Sequence, residues 1–257
     1  MSANTSTPLR RLRASAAAAH TLPLVVFTLF LMVPDWFRIE NSALPWYRQG
    51  PEHWVYPVQV LVCGALLWWF RAHYTLRPWR GLWMAGVFAG VGILWWIAPS
   101  FIRVLLVDAG VKEAGWWSWL GLVERGEGFD PNLLAAWPGW QKASLVMRFV
   151  RSVIIVALVE ELFWRGFLMR YVVGEMQDRP WQKVPFGTHH WVAFLVTGVG
   201  VTFIHAKEDW AGALVWGSLM YFLAVRTKSL GACVLMHALG NLLLGLYVLQ
   251  SKQWGFW

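Results

Sequence analysis

The sequence predicts an all-α fold: a polytopic bundle of seven or eight transmembrane helices around a membrane-embedded polar cavity. Three observations carry that prediction. Hydrophobic residues make up 58% of the 257-residue chain and charged residues only 14%. The apolar residues gather in runs that approach the roughly 20 residues needed to cross a bilayer. One such run nevertheless holds two adjacent carboxyls and a guanidinium, in Glu160-Glu161-Leu162-Phe163-Trp164-Arg165-Gly166. A water-soluble domain this apolar would have to expose large greasy patches. Charges inside a membrane span are costly, usually face the protein interior, and are functional candidates by default.

Taken in order, residues 1–13 are polar and read as a disordered tail. Spans are predicted near 14–33, 54–70, 81–98, 143–164, 191–205, 210–225 and 229–249. Residues 101–107 are apolar but too short to cross alone, which leaves an eighth, broken or interfacial helix open. Arg10, Arg11 and Arg13 before the first span resemble a signal-peptide n-region. No small-residue cleavage site follows, since the chain goes on to Pro34-Asp35-Trp36, so an uncleaved anchor is expected. Residues 108–138, with Gly115, Gly121, Gly126, Gly128 and Pro131, read as an extramembrane loop. The pairs Trp68-Trp69, Trp95-Trp96 and Trp116-Trp117 read as interfacial anchors. Gly86 and Gly90 form a small-xxx-small face suited to close helix packing. The chain thus divides into the tail, a helical and loop region over 14–142, and a helical core over 143–250.

The net charge of +8 does not indicate nucleic acid. The basic residues sit in short loops between apolar runs, as the positive-inside rule expects, and their distribution puts the N-terminus in the cytoplasm. Glu208 and Asp209 read as solvated loop charges. Cys63 and Cys233 lie inside apolar runs with no CxxC spacing, and read as small packing residues.

Helical geometry separates the two glutamates. Glu161 and Arg165 are four apart, lie on one face and can pair. Glu160 points about 100° away, on another face, and is left without a local cation. An unpaired carboxyl held away from water can shuttle protons near neutrality. The alternative is that Glu160 is a satisfied interior group bonded to a serine or backbone on another helix. His237 and Asn241 are four apart and share a face of the last span. His205 ends the run Val201-Thr202-Phe203-Ile204-His205; taken alone it reads as an interfacial histidine. Arg148 and Arg151 early in the fourth span read as reaching toward head groups, and are also compatible with a polar cavity. No HExxH, GxSxG or intramembrane aspartate pair is present.

Together, Glu160-Glu161-xxx-Arg165-Gly166, a later helix ending in His205, and His237-xxx-Asn241 resemble the signature of the CPBP family. That family comprises type II CAAX prenyl proteases and bacteriocin-processing enzymes. The resemblance covers roughly residues 143–250. The wording Glu-Glu-Leu-Phe-Trp-Arg-Gly-Phe-Leu-Met-Arg-Tyr further looks like a bacterial CAAX protease-related subgroup found with exosortase sorting systems. One departure stands out: the family's middle motif carries phenylalanine four residues before its histidine, where this chain has Val201.

The resemblance implies an intramembrane endopeptidase of a bacterial inner membrane, acting on a membrane-associated protein or peptide. Glu160 and His205 would activate a water, and His237 and Asn241 would stabilise the oxyanion. Glu161 and Arg165 would give structural support. The residue chemistry agrees, since a carboxylate suits deprotonation of water and an imidazole or amide N–H suits developing negative charge. No cofactor is obligatory on this reading, but Glu160, His205 and His237 also make a zinc set with an open position. The expected partners are the lipid bilayer and the substrate, with no nucleic acid. The alternatives are a non-catalytic membrane scaffold or immunity-type binding protein and, third, a proton-coupled carrier. The predicted spans set Glu160 and His205 about 15 Å or more apart in depth unless the fourth helix runs on to about Val173 or the fifth is short or tilted; the former is the expectation.

Overall fold

A computed structural model describes residues 7–39, 41 and 43–257; the first six residues of the predicted tail lie outside that range. Among the described residues the chain is helical with no strand. Seven long helices carry the fold. They are α1 (Ala16–Leu31), α2 (Glu52–Phe70), α3 (Leu82–Asp108), α4 (138–176), α5 (Trp191–Phe203), α6 (Trp210–Thr227) and α7 (Leu230–Ser251). Four stretches are long and apolar enough to cross a membrane by length and composition: Ala16–Phe37, Glu52–His73, Leu82–Asp108 and Leu230–Ser251. Their outer faces are greasy, with Leu61, Leu94, Leu105 and Leu246 all exposed. Helices that stay apolar on the outside as well as in the core belong in lipid. The protein is an integral membrane protein.

Local sequence sets the helix starts. Ser15 caps α1 by accepting from the Ala18 amide, and Ser229 caps α7 by accepting from the Ala232 amide. Gly81, with φ of +68°, turns the chain into α3 in a left-handed conformation that a side chain rarely adopts.

Several expectations are corrected. Pro8–Ala14, of which all but the last residue was assigned to a disordered tail, forms a short helix ahead of α1. Residues 101–107 are no separate eighth helix; they are the last turns of the 27-residue α3. An alanine-sized group at Gly86 or Gly90 would meet nothing, so that face makes no close helix contact. The close approach comes from Gly92 instead, against the Trp216 ring. The tryptophan pairs divide: Trp68, Trp95 and Trp116 point outward, whereas Trp117 is buried and Trp96 turns inward against His205. Cys63 and Cys233 are fully buried packing residues, as expected.

The 108–138 stretch folds back onto one end of the bundle. Arg125, almost fully buried, reaches Asp209 at 2.8 Å and the Glu208 carbonyl at 3.0 Å. Asp209 is thus paired across the chain rather than solvated. Phe129 from the same stretch packs on His53 of α2 and on Trp257 near the chain's last residues. This end of the bundle is where α1, α5 and α7 finish and α4 begins, opposite the N-terminal end.

Candidate active site

The site is built on α4. This helix is continuous from residue 138 to 176, past the expected Val173, but it is not uniform. Val150–Val156 and Leu162–Leu168 are wound as π-helix, on either side of the α-helical turn Ala157–Glu161. Wide turns of this kind are uncommon and often accompany functional sites. They bracket the two glutamates.

Glu161 points into the protein and is fully buried. Its Oε1 accepts from Arg165 Nη1 at 3.1 Å, one turn along, as the spacing predicts. The same oxygen accepts from His237 Nδ1 of α7 at 2.8 Å, a partner that spacing along one helix cannot reveal. Arg165 is 1% exposed, and its Nη2 also points to the Gly217 carbonyl of α6 at 3.5 Å. The Glu161–Arg165 pair therefore ties three helices together.

Glu160 faces a cavity of about 560 Å³. It is half-buried and makes no hydrogen bond or ion pair among the described residues, although Arg151 and His237 are near enough to attract it. His205, His237 and Asn241 line the same cavity. Glu160 and His205 reach one cavity although the expected spans set them apart: α4 runs on to Met176 and α5 is short, at 13 residues. His205 follows the end of α5, where its Nδ1 donates to the Val201 carbonyl at 2.7 Å. A carbonyl can only accept, so Nδ1 carries a proton, and Nε2 has no hydrogen-bond partner among the described residues. The ring edge rests against Trp96, 5.5 Å away between centroids. Val201, where the family pattern has phenylalanine, is buried and lines the cavity, while Phe203 faces outward onto Trp210.

Asn241 Nδ2 donates to the Ser152 carbonyl at 2.6 Å, within the first π stretch. With His237–Glu161 this makes two polar rungs between α7 and α4. The rungs are four residues apart on α7 but nine apart on α4, about 6 Å against about 13 Å of rise. The two helices run antiparallel and cannot stay in step. The surplus length of α4 faces the cavity, with Ser152, Val156 and Glu160 on its wall at four-residue spacing.

Arg148 and Arg151 do not reach for head groups. They are 5% and 6% exposed and line the cavity on the same face of α4. The stripe 148, 152, 156, 160 was the signal for this in the sequence; the arginines' inward direction was not. Trp216 and Asp209 also line the cavity and were not singled out for it. Glu160, His205 and His237, the candidate zinc set, share the cavity. Yet among the described residues no group of three or more His, Cys, Asp or Glu side chains is arranged to hold a metal ion. The donor set as it stands does not close around a metal.

The fold and the cavity define a helical membrane protein with a half-buried acid, two histidines and an amide facing one space. Residues 142–243 match the family described as Type II CAAX prenyl endopeptidase Rce1-like. This is a family of membrane proteases, and it is the one that the EExxxR and HxxxN motifs resemble; the match covers less than half of the chain and contains every candidate residue. No curated protein and no solved structure matches the chain.

Proposed function

We propose that this protein is an intramembrane endopeptidase that hydrolyses a peptide bond of a membrane-associated substrate with water activated by Glu160 and His205. The supporting observation is that an unpaired carboxyl, Glu160, faces the same cavity as His205, His237 and Asn241. Glu160 takes a proton from water, and the hydroxide adds to the peptide carbonyl carbon. The C–N bond then breaks, and the proton held by Glu160 passes to the leaving amine. His205, fixed through Nδ1, offers Nε2 to the same water.

The oxyanion falls to His237 and Asn241. His237 commits its Nδ1 proton to Glu161, so its donor to the oxyanion is Nε2–H of the imidazolium. The Glu161 carboxylate stabilises that charged ring, as the aspartate does in a catalytic triad. Asn241 has a second amide hydrogen beyond the one given to Ser152. Donors held in place before the charge develops need no reorganisation. Glu161 and Arg165 touch no reacting atom and act through His237. The chemistry proposed is that of water and side chains.

With the N-terminus in the cytoplasm, the cavity lies toward the opposite face of the membrane, in the half of the bundle where α4 begins. The test is Glu160→Gln. Folded mutant protein should bind substrate and release no product; undiminished cleavage would remove Glu160 as the base. A non-catalytic scaffold, the second reading, would yield no product from the unaltered protein either.

A further inference from the structure

A second hollow lies at the other end of the bundle, where α1 and α7 begin and α2 finishes. Its volume is about 320 Å³, within the range of small-ligand sites. Arg77 and Arg170 line it together with the rings of His20 and His73, and no acidic residue does. Glu175 and Asp178, the acids around the end of α4, line an adjoining cleft with Arg179 instead. None of the four basic side chains forms an ion pair among the described residues. Like charges gathered in one place repel unless an anion joins them.

These side chains also have hydrogen-bonding capacity to spare. Arg170 donates to the carbonyls of Val184 at 2.9 Å, Gln182 at 3.0 Å and Gly166 at 3.4 Å. That fixes the guanidinium, over the Trp181 ring at 5.1 Å, and leaves two of its five N–H groups. His20 is 6% exposed, with edge contacts to Tyr74 and Trp181 at 5.5 and 5.4 Å between ring centres. Its Nδ1 donates to the Ala16 carbonyl at 2.8 Å, and its Nε2 has no hydrogen-bond partner among the described residues. Gly166 makes room for this ring, since a Cβ there would stand 3.2 Å from His20 Cδ2. Arg77 is exposed and makes no hydrogen bond among the described residues. A buried ring nitrogen without a partner calls for a polar ligand, and the charge around it calls for an anion.

We propose that this hollow is a binding site for the phosphate of an anionic phospholipid head group. A guanidinium fork matches phosphate oxygens, and both arginines can reach them from one side of the hollow each. His20 Nε2 accepts from a head-group hydroxyl or, on the imidazolium, donates to a phosphate oxygen. The level in the membrane fits. Trp68, five residues before His73, and Trp79, two after Arg77, both point outward, and tryptophans gather at head-group depth. Basic pockets between spans at the cytoplasmic face suit anionic head groups. Free phosphate offers the same oxygens but lacks the acyl chains that hold a lipid in the bilayer beside the hollow. The inference stands apart from the peptidase reading, because the hollow and the active-site cavity share no lining residue.

The purified chain in detergent is titrated with dioleoylphosphatidylglycerol, dioleoylphosphatidylcholine or inorganic phosphate, and bound molecules are counted by native mass spectrometry. One phosphatidylglycerol should be retained about tenfold more tightly than phosphatidylcholine. Arg77→Gln, a change at an exposed side chain, should weaken that binding about fivefold. Arg226→Gln removes an exposed charge at the same end, from the last turn of α6 and outside the hollow, and should leave it unchanged. Equal retention of the two lipids overturns the proposal. So does equal weakening by both substitutions, which would mark a diffuse basic surface. Inorganic phosphate that binds as tightly as phosphatidylglycerol and displaces it would make a soluble anion the ligand and overturn the lipid assignment. The comparison between lipids needs no variant, so the test survives a substitution that fails to fold.

Discussion

His237 and Glu161 meet at 2.8 Å, Nδ1 to Oε1, across the boundary between the last helix and the π-wound fourth helix. The residue that the histidine touches is the fully buried glutamate, not the cavity-facing one beside it. Adjacent carboxyls thus have separate duties, one holding helices together and the other facing the open space.

That division predicts opposite mutant phenotypes. Glu161→Gln leaves Arg165 buried with no countercharge and weakens the hold on His237. It should cost about 3–5 kcal/mol of stability, seen as a large drop in unfolding midpoint in detergent. Glu160→Gln should leave the midpoint nearly unchanged while abolishing cleavage. Equal destabilisation by both would contradict the division.

Arg165 and Glu161 should be non-additive. Arg165→Met alone strands the Glu161 carboxylate, and Glu161→Gln alone strands the guanidinium. The double substitution removes both charges and should be less destabilised than the sum of the singles, with a coupling of about 1–3 kcal/mol. A double-mutant cycle of unfolding free energies measures it, and strict additivity would mean that the pair is not the contact described.

Gly240→Ala should damage the site through Trp216. A Cβ at residue 240 would stand 2.2 Å from Trp216 Cη2, and one at Gly92 would stand 2.6 Å from Cε3 of the same ring. The indole is held from two helices and packs on His237 at 5.9 Å between ring centres. Overpacking here should cost about 1–3 kcal/mol and lower cleavage. Trp216→Leu combined with Gly240→Ala should recover the stability lost, which thermal unfolding would show.

Asn241 offers a test of hydrogen-bond direction. Its Nδ2 donates to the Ser152 carbonyl, and Asn241→Asp replaces that donor with an oxygen facing an oxygen. The aspartate should be less stable than Asn241→Ala despite its closer shape. Asn241→Ala itself should lower kcat by about 10²–10³-fold if the amide serves the oxyanion. Kinetics with stability measured in parallel separate the two effects.

Much of the bundle could be read along the chain, because apolar runs of bilayer length are a local property. The Glu161–Arg165 pair could be read as well, since four-residue spacing puts two side chains on one face wherever the helix lies. The extension of α4 beyond residue 164 was anticipated from its apolar wording. Partners brought by other helices were not legible. Glu161 to His237, Asn241 to the Ser152 carbonyl and Arg125 to Asp209 join positions 76, 89 and 84 residues apart. No periodicity within one helix encodes such distances.

The inward turn of Arg148 and Arg151, the outward face of Gly86 and Gly90, and the split of each tryptophan pair depend on how the helices are rotated against one another. That rotation is settled by packing of whole surfaces, such as Trp216 between Gly92 and Gly240. Composition and spacing were enough to say that charges lie within a membrane protein and which of them can pair along one helix. Which carboxyl faces open space, and which cations share it, was decided only when the helices closed around it, because burial belongs to the assembled bundle and not to any single segment.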